Sequence, residues 1–155
     1  MSAERFAIFS TEARRAVVWS QELARASFSP KTRGVDLLAA LVALPGCEAH
    51  AVLAPVEREI ADLHSRRRGR AWPWRGSLPS TLPTAGDLRP VLEWAARTPR
   101  DGGAATTGSL LLGLAAHTST SVGAWLSDHD LRQPRILELL PPAREQIPDP
   151  TGPPP

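Results

Sequence analysis

The sequence is poor in residue types that mark particular chemistries. It contains one cysteine, Cys47, no tyrosine, and only 5% aromatic residues among its 155 positions. A single cysteine excludes an internal disulfide framework and any CxxC metal site. No apolar run approaches the roughly 18 residues of a membrane-spanning helix, and the N-terminus lacks the apolar segment of a signal peptide. We therefore expect a cytoplasmic protein that does not enter a membrane.

Charge of one sign is also scarce, since 18 basic residues are balanced by 16 acidic ones and the net charge is +2. A nucleic-acid-binding domain usually concentrates a larger basic excess on one face, so nucleic acid is not the expected partner. One basic and aromatic segment could still hold phosphates and stack bases, or bind an acidic protein. The simpler interpretation is a solvated helix end followed by a linker. The segment contains Arg66, Arg67, Arg68, Arg70, Trp72 and Trp74.

Proline, by contrast, is abundant, and its positions divide the chain. Seven of the 16 prolines lie in the last 15 residues, which predicts a disordered tail over residues 141–155. A second stretch rich in Pro, Gly and Ser predicts a linker over residues 69–83. We expect one domain over residues 1–140, with a first half at 6–68 and a second half at 84–140.

Both halves have the apolar spacing of helices and neither has the alternation of strands, which predicts an all-α fold. Trp19 matches Trp94 at an offset of 75, and the leucine-rich block 37–41 matches block 110–114 at an offset of 73. We interpret the matches as two pseudo-two-fold repeats of about four helices each. The residues predicted to pack in the core on this basis are Trp19, Trp94, Trp125 and, at a close helix approach, Gly113.

No residue pattern typical of an enzyme stands out. Cys47 is close to Glu48 and His50, but a reactive thiol also needs an orienting group and a site for the developing charge. We therefore interpret Cys47 as a buried small apolar residue. The polar residues at 118–121 are predicted to cap the helix that follows them. The polar cluster around this helix is not interpreted as a set of metal ligands, because its histidines lack the spacing of a helical metal motif. That cluster contains His117, Asp128, His129 and Asp130. We expect no catalytic residue, metal or cofactor.

Several motifs agree with one known family. The segment FSTEARRAVVWSQELARA at 9–26, the leucine block at 37–41, Leu82-Pro83 and the second copy of the repeat keep its spacing. Over about residues 6–140 the chain thus resembles the Clp N-terminal repeat domain, which binds substrates and adaptors at the front of ClpC- and ClpA-type unfoldase chaperones. The resemblance implies an all-α double repeat that binds proteins or peptides, with a Clp ATPase or its substrates as partners.

Two departures from the family bear on function. In the family, a Thr-Glu-His box opens the second helix of each repeat and helps to bind phosphoarginine; at the matching positions this chain has Val35 and Asp36, and Thr107 and Gly108. Both glutamates are missing, and a carboxylate is the group that would hold a guanidinium. We therefore predict no phosphoarginine binding. The sequence also has no GxxxxGK[ST] loop, which predicts that it does not hydrolyse ATP in the P-loop manner.

The family also has a hydrophobic groove between the first helices of its two repeats. The resemblance assigns this groove to Phe6, Val18, Thr84, Arg89, Glu93 and Ala96. We expect a stand-alone, non-catalytic binding module that acts as an accessory, adaptor or decoy in Clp-dependent proteolysis. The alternative is a protein that sequesters a cyclic peptide antibiotic in the same groove. A third reading is that the Pro-rich tail binds a partner in the polyproline conformation.

Overall fold

The computed structural model describes residues 8–66, 82–100 and 103–142, and the fold is all-α as predicted. The described residues form eight α-helices and one short 3-10 helix, with no regular strand among them. The α-helices are α1 (Thr11–Ala26), α2 (Gly34–Ala43), α3 (Glu48–Leu53), α4 (Glu57–Arg66), α5 (Arg89–Arg97), α6 (Thr107–Ala116), α7 (Ser121–Asp128) and α8 (Gln133–Leu139), and the 3-10 helix is Ala54–Val56.

Helix α1 is amphipathic and begins at a polar cap. The Ser10 side chain accepts a hydrogen bond from the Ala13 backbone N–H at 3.0 Å, which satisfies one of the free donors of the first turn. Its buried positions repeat at intervals of three and four residues and are Ala13, Ala16, Val17, Ser20 and Ala24. This stripe turns one face of α1 onto the core and leaves the other in solvent.

Helices α2 and α6 form the centre of the molecule. In α6 every residue from Thr107 to Ala115 is buried, and α2 is buried at all but two of its positions. The two helices contact each other, while α1 packs on α2 and α5 packs on α6. A Cβ on Gly113 would lie 3.1 Å from the Val91 carbonyl oxygen, so glycine is what permits α5 and α6 to approach so closely. The predicted role of Gly113 is confirmed.

Two isolated backbone bridges join the halves, Phe9 with Ala105 and Thr32 with Thr84. Positions 9 and 84 are 75 apart and positions 32 and 105 are 73 apart, which are the two offsets of the predicted repeat. The bonds are also equivalent, since Ala105 N–H donates to the Ile8 carbonyl at 2.9 Å and Thr32 N–H to the Pro83 carbonyl at 2.9 Å. A two-fold relation between the halves stays a prediction, and these reciprocal contacts are what it requires.

The core predictions for tryptophan need one correction. Trp19 is 45% exposed, because it lies beside rather than within the buried stripe of α1, so its predicted core position is wrong. Trp94 and Trp125 are half-buried and pack against the core. Helix α5 also begins two residues later than the expected Asp87, because a turn precedes it and the Asp87 carboxylate accepts the Gly34 N–H at 3.2 Å.

The predicted linker and tail lie largely outside the described residues. Leu82, the first described residue after the gap, is buried, so the end of the predicted linker already belongs to the core. No single helix among the described residues is long and apolar enough to cross a membrane. The segments Gly34–Ala43 and Glu48–Arg66 reach that length and apolarity only together, and they are bent by 92°.

Candidate functional site

An open cleft of about 320 Å³ lies along α5. Glu93, Ala96 and Arg97 line it from one face of the helix, because residues three and four apart lie on the same side. Ile8, which is 39% exposed, lines it from the segment before α1. The cleft therefore combines apolar surface with one carboxylate and one guanidinium.

The structure brings only part of the predicted groove together. Of the six residues assigned to it, Glu93 and Ala96 line the cleft. Val18 is 54% exposed on α1, Thr84 forms the backbone bridge to Thr32, and Arg89 is exposed at the start of α5; none of these three is among the described lining residues. Phe6 lies outside the described residues. Ile8 and Arg97 were missed, although Arg97 shares the helical spacing of Glu93 and Ala96.

The second box is closed by a buried ion pair that joins the two halves of the chain. The Glu48 carboxylate oxygen Oε2 accepts from Arg100 Nη1 at 2.8 Å and from the Thr106 hydroxyl at 2.7 Å. Glu48 is 3% exposed and the Arg100 side chain 16%. Thr107 Oγ1 is also engaged, accepting the Ala49 N–H at 3.2 Å. The space at this box is thus filled by the Glu48 carboxylate, and a Cβ on Gly108 would lie 2.5 Å from Glu48 Oε2.

The first box is buried as well. Val35 and Asp36 are 2% and 0% exposed. Asp36 accepts hydrogen bonds from the Arg33 guanidinium at 3.1 Å and from His64 Nε2 at 2.9 Å. Burial alone would raise the pKa of Asp36, but the hydrogen bonds from His64 and Arg33 outweigh it, so its pKa is lowered. Asp36 therefore ties the start of α2 to α4 as a carboxylate.

Cys47 caps α3 and does not form a thiol–imidazole pair with His50. Its Sγ accepts the His50 backbone N–H at 3.4 Å and lies 3.5 Å from the Leu41 carbonyl oxygen, to which the thiol donates. The His50 ring donates from Nδ1 to the Val42 carbonyl at 2.6 Å. Both residues line a cavity of about 400 Å³ that reaches Pro141 and Pro142. Cys47 is buried, as predicted.

The histidines of the polar cluster bind backbone carbonyls. His117 Nδ1 donates to the Gly113 carbonyl at 2.7 Å and His129 Nδ1 to the Trp125 carbonyl at 2.8 Å. The His129 ring also stacks on Trp125, with ring centroids 3.8 Å apart. Thr120 caps α7 by accepting the Gly123 N–H at 3.0 Å, which confirms the predicted capping role. No group of three metal-ligating side chains occurs in residues 8–66, 82–100 and 103–142.

The basic and aromatic segment is described only at its first residue. Arg66 pairs with Asp62 at 2.6 Å, and both side chains are more than half exposed. The arginines at 67, 68 and 70 and the two tryptophans lie outside the described residues. The described end of the segment therefore matches the solvated helix terminus that the sequence predicted.

No protein-family model matches this chain, and no curated protein is similar to it in sequence. Among solved structures, a chain from "Preliminary structural investigations of a malarial protein secretion system" is similar in fold. Its TM-score is 0.66 and its sequence identity 13%, and the alignment covers 84% of this chain and 90% of that chain. At 13% identity the comparison shows a similar fold and nothing more.

Proposed function

We propose that this protein is a non-catalytic module that binds a protein or peptide partner in the cleft along α5. The observation that carries the proposal is the composition of that cleft. Ile8 and Ala96 supply apolar surface, and Glu93 and Arg97 supply one charge of each sign. A peptide segment presents the same mixture of apolar side chains, polar backbone and charged groups.

The geometry of the cleft favours a partner over a reacting substrate. Glu93 and Arg97 lie one turn apart on an exposed face, where they are well solvated. Solvated charges at a rim orient a partner and contribute modestly to affinity, whereas the apolar centre excludes water. We therefore expect recognition of an exposed polypeptide segment.

The resemblance to Clp N-terminal repeat domains indicates which class of partner to propose. It implies an accessory, adaptor or decoy role in Clp-dependent proteolysis, with a Clp ATPase or its substrates as the partner. The structurally similar chain belongs to a study of a protein secretion system, and a module that handles polypeptides is consistent with that setting. The closed second box supports the prediction that phosphoarginine is not the recognised group.

A calorimetric titration against the host's Clp ATPase and against a cyclic peptide antibiotic tests the proposal. We expect saturable binding of the Clp ATPase, weakened at least tenfold by Glu93→Lys, which reverses a charge at the cleft. Glu59→Lys makes the same change at an exposed position of α4 and is expected to bind as the wild type does.

Two outcomes would overturn the proposal. The first is binding of the cyclic peptide alone, which favours sequestration of a small ligand. The second is equal binding by the Glu93→Lys and Glu59→Lys variants, which would place the partner on another surface. Ala96→Arg, with Ala61→Arg on α4 as its control, tests the cleft by filling it instead of by reversing its charge.

A further inference from the structure

The outward face of α1 carries an exposed stripe of residues. Its members are exposed and follow one another at intervals of three, one, three and four residues: Arg15, Val18, Trp19, Glu22 and Ala26. These intervals place them on one side of the helix. Hereafter they are called the α1 stripe.

The centre of the α1 stripe is apolar. Val18 is 54% exposed and the adjacent Trp19 is 45% exposed, on a helix whose opposite face is fully used by the core. Tryptophan is the residue type most enriched among the energetic centres of protein interfaces. Val18 and Trp19 therefore give the α1 stripe an apolar centre that a partner could cover.

The charges of the α1 stripe are arranged symmetrically about this centre. Arg15 lies three residues before Val18, and Glu22 lies three residues after Trp19. Turning the helix end over end therefore exchanges a positive position for a negative one. A second copy of α1 in antiparallel orientation places its Glu22 opposite Arg15 and its Arg15 opposite Glu22. A parallel copy would bring like charges together.

We propose that the α1 stripe is the interface of a homodimer, in which two α1 helices pack antiparallel across a two-fold axis that passes between Val18 and Trp19. Arg15 pairs with the partner's Glu22 on one side of the axis, and the symmetric pair forms on the other. Each Trp19 lies beside the partner's Trp19. The contact is self-complementary, as a closed two-fold interface must be.

Both charged residues are available for this contact. Arg15 forms no ion pair within the described residues, and the one ion pair of Glu22, with Arg25 of the same helix, is long at 3.9 Å. The Glu22 side chain is 54% exposed. A single pair of helices buries less surface than a standard interface, so we expect a weak and reversible dimer.

The dimer contact shares no residue with the described lining of the cleft. Glu93, Ala96 and Arg97 lie on α5 and none of them belongs to the α1 stripe. Val18, which the resemblance assigned to the groove, belongs to this surface instead. The test below does not use the cleft, so failure of either proposal leaves the other to be judged by its own experiment.

Sedimentation equilibrium of the full 155-residue chain, from about 1 μM to about 1 mM, tests the dimer. Arg15→Glu and Glu22→Arg each place like charges opposite one another, and each is expected to weaken dimerisation at least tenfold. The double variant Arg15→Glu/Glu22→Arg restores opposite charges and is expected to recover the wild-type dimer. An equimolar mixture of the two single variants is expected to form a heterodimer.

Arg135→Glu, on the exposed face of α8, is the control for a charge reversal elsewhere and is expected to leave dimerisation unchanged. Trp19→Ala is expected to weaken dimerisation at least tenfold by removing the apolar centre. Circular dichroism of each variant verifies that the helices are intact. A wild-type chain that stays monomeric throughout, or single charge variants that associate like the wild type, would overturn the proposal.

Discussion

The carboxylate of Glu48 occupies the space in which a side chain on Gly108 would begin. Glu48 Oε2 lies 2.5 Å from the position of a Cβ on Gly108, closer than real Cβ atoms approach an oxygen. The two residues come from different halves of the chain. The absence of a side chain at 108 therefore permits the buried pair between Glu48 and Arg100, and this pair joins the halves.

Gly108→Ala is expected to destabilise the protein by about 1–3 kcal/mol, because the new methyl group must displace Glu48 or the backbone of α6. Urea unfolding measures the change. Gly86→Ala is the control, since a Cβ on Gly86 meets no atom within 4 Å, and it is expected to change stability by about 0.5 kcal/mol or less. Equal effects of the two substitutions would show that the Glu48 side chain moves aside without a loss of stability.

Glu48→Gln is expected to cost about 3 kcal/mol, because it leaves the Arg100 guanidinium largely buried without its counter-charge. Glu138→Gln provides the comparison, since the Arg135–Glu138 pair is exposed at 51% and 67% of its side chains and is expected to contribute about 0.5 kcal/mol or less. Thermal unfolding of the two variants gives the contrast. The double variant Glu48→Gln/Arg100→Gln should lose less stability than the sum of the losses in the two single variants. Strictly additive losses of stability would argue against a coupled pair.

Acid is expected to weaken the fold through Asp36. Its pKa is lowered in the folded protein, so its contribution to stability is fully present above the pKa of the unfolded chain and is lost as the pH falls through the folded value. Urea midpoints should therefore fall below about pH 4. Asp36→Asn should be less stable near pH 7 and less sensitive to acid, whereas Asp62→Asn, in the exposed pair with Arg66, should follow the wild-type curve.

Phe28→Gly is expected to stabilise the protein by about 0.5–1 kcal/mol. Phe28 has a φ of 56° at the C-terminal end of α1, in the left-handed region that glycine adopts more easily than phenylalanine. Its side chain is 57% exposed, so little packing is lost. Phe28→Ala keeps the Cβ in the strained conformation and should give no such gain. A chemical denaturation series of the three proteins separates the backbone effect from the loss of the ring.

Helix positions were predictable from the sequence because they depend on local spacing and capping. Ser10 before α1 and Thr120 before α7 are caps that a short window of sequence reveals, and the leucine blocks mark the two central helices. The exposed position of Trp19 was equally predictable from the sequence, since Trp19 falls outside the buried stripe of α1. Matching Trp19 to Trp94 through the predicted repeat led to the wrong assignment, because residues matched by sequence offset need not have equal burial.

The candidate site was predictable only in part. The resemblance assigned Glu93 and Ala96 to a groove, and both line the cleft. It also assigned Val18, which the structure places on the outer face of α1 instead. Arg97 and Ile8 complete the cleft, and Ile8 lies far from the others in sequence, so no local pattern indicated it.

The sequence by itself determined the all-α class, the positions of the central helices and the absence of glutamate at positions 35 and 108. These features depend on residue type and on spacing within a few turns. Only the tertiary structure decided which carboxylate lies against Gly108. Glu48 is 60 positions earlier in the chain, and no periodicity or capping signal connects positions so far apart. The contact exists because α3 and α6 pack together and bury a carboxylate that Arg100 and Thr106 must then satisfy.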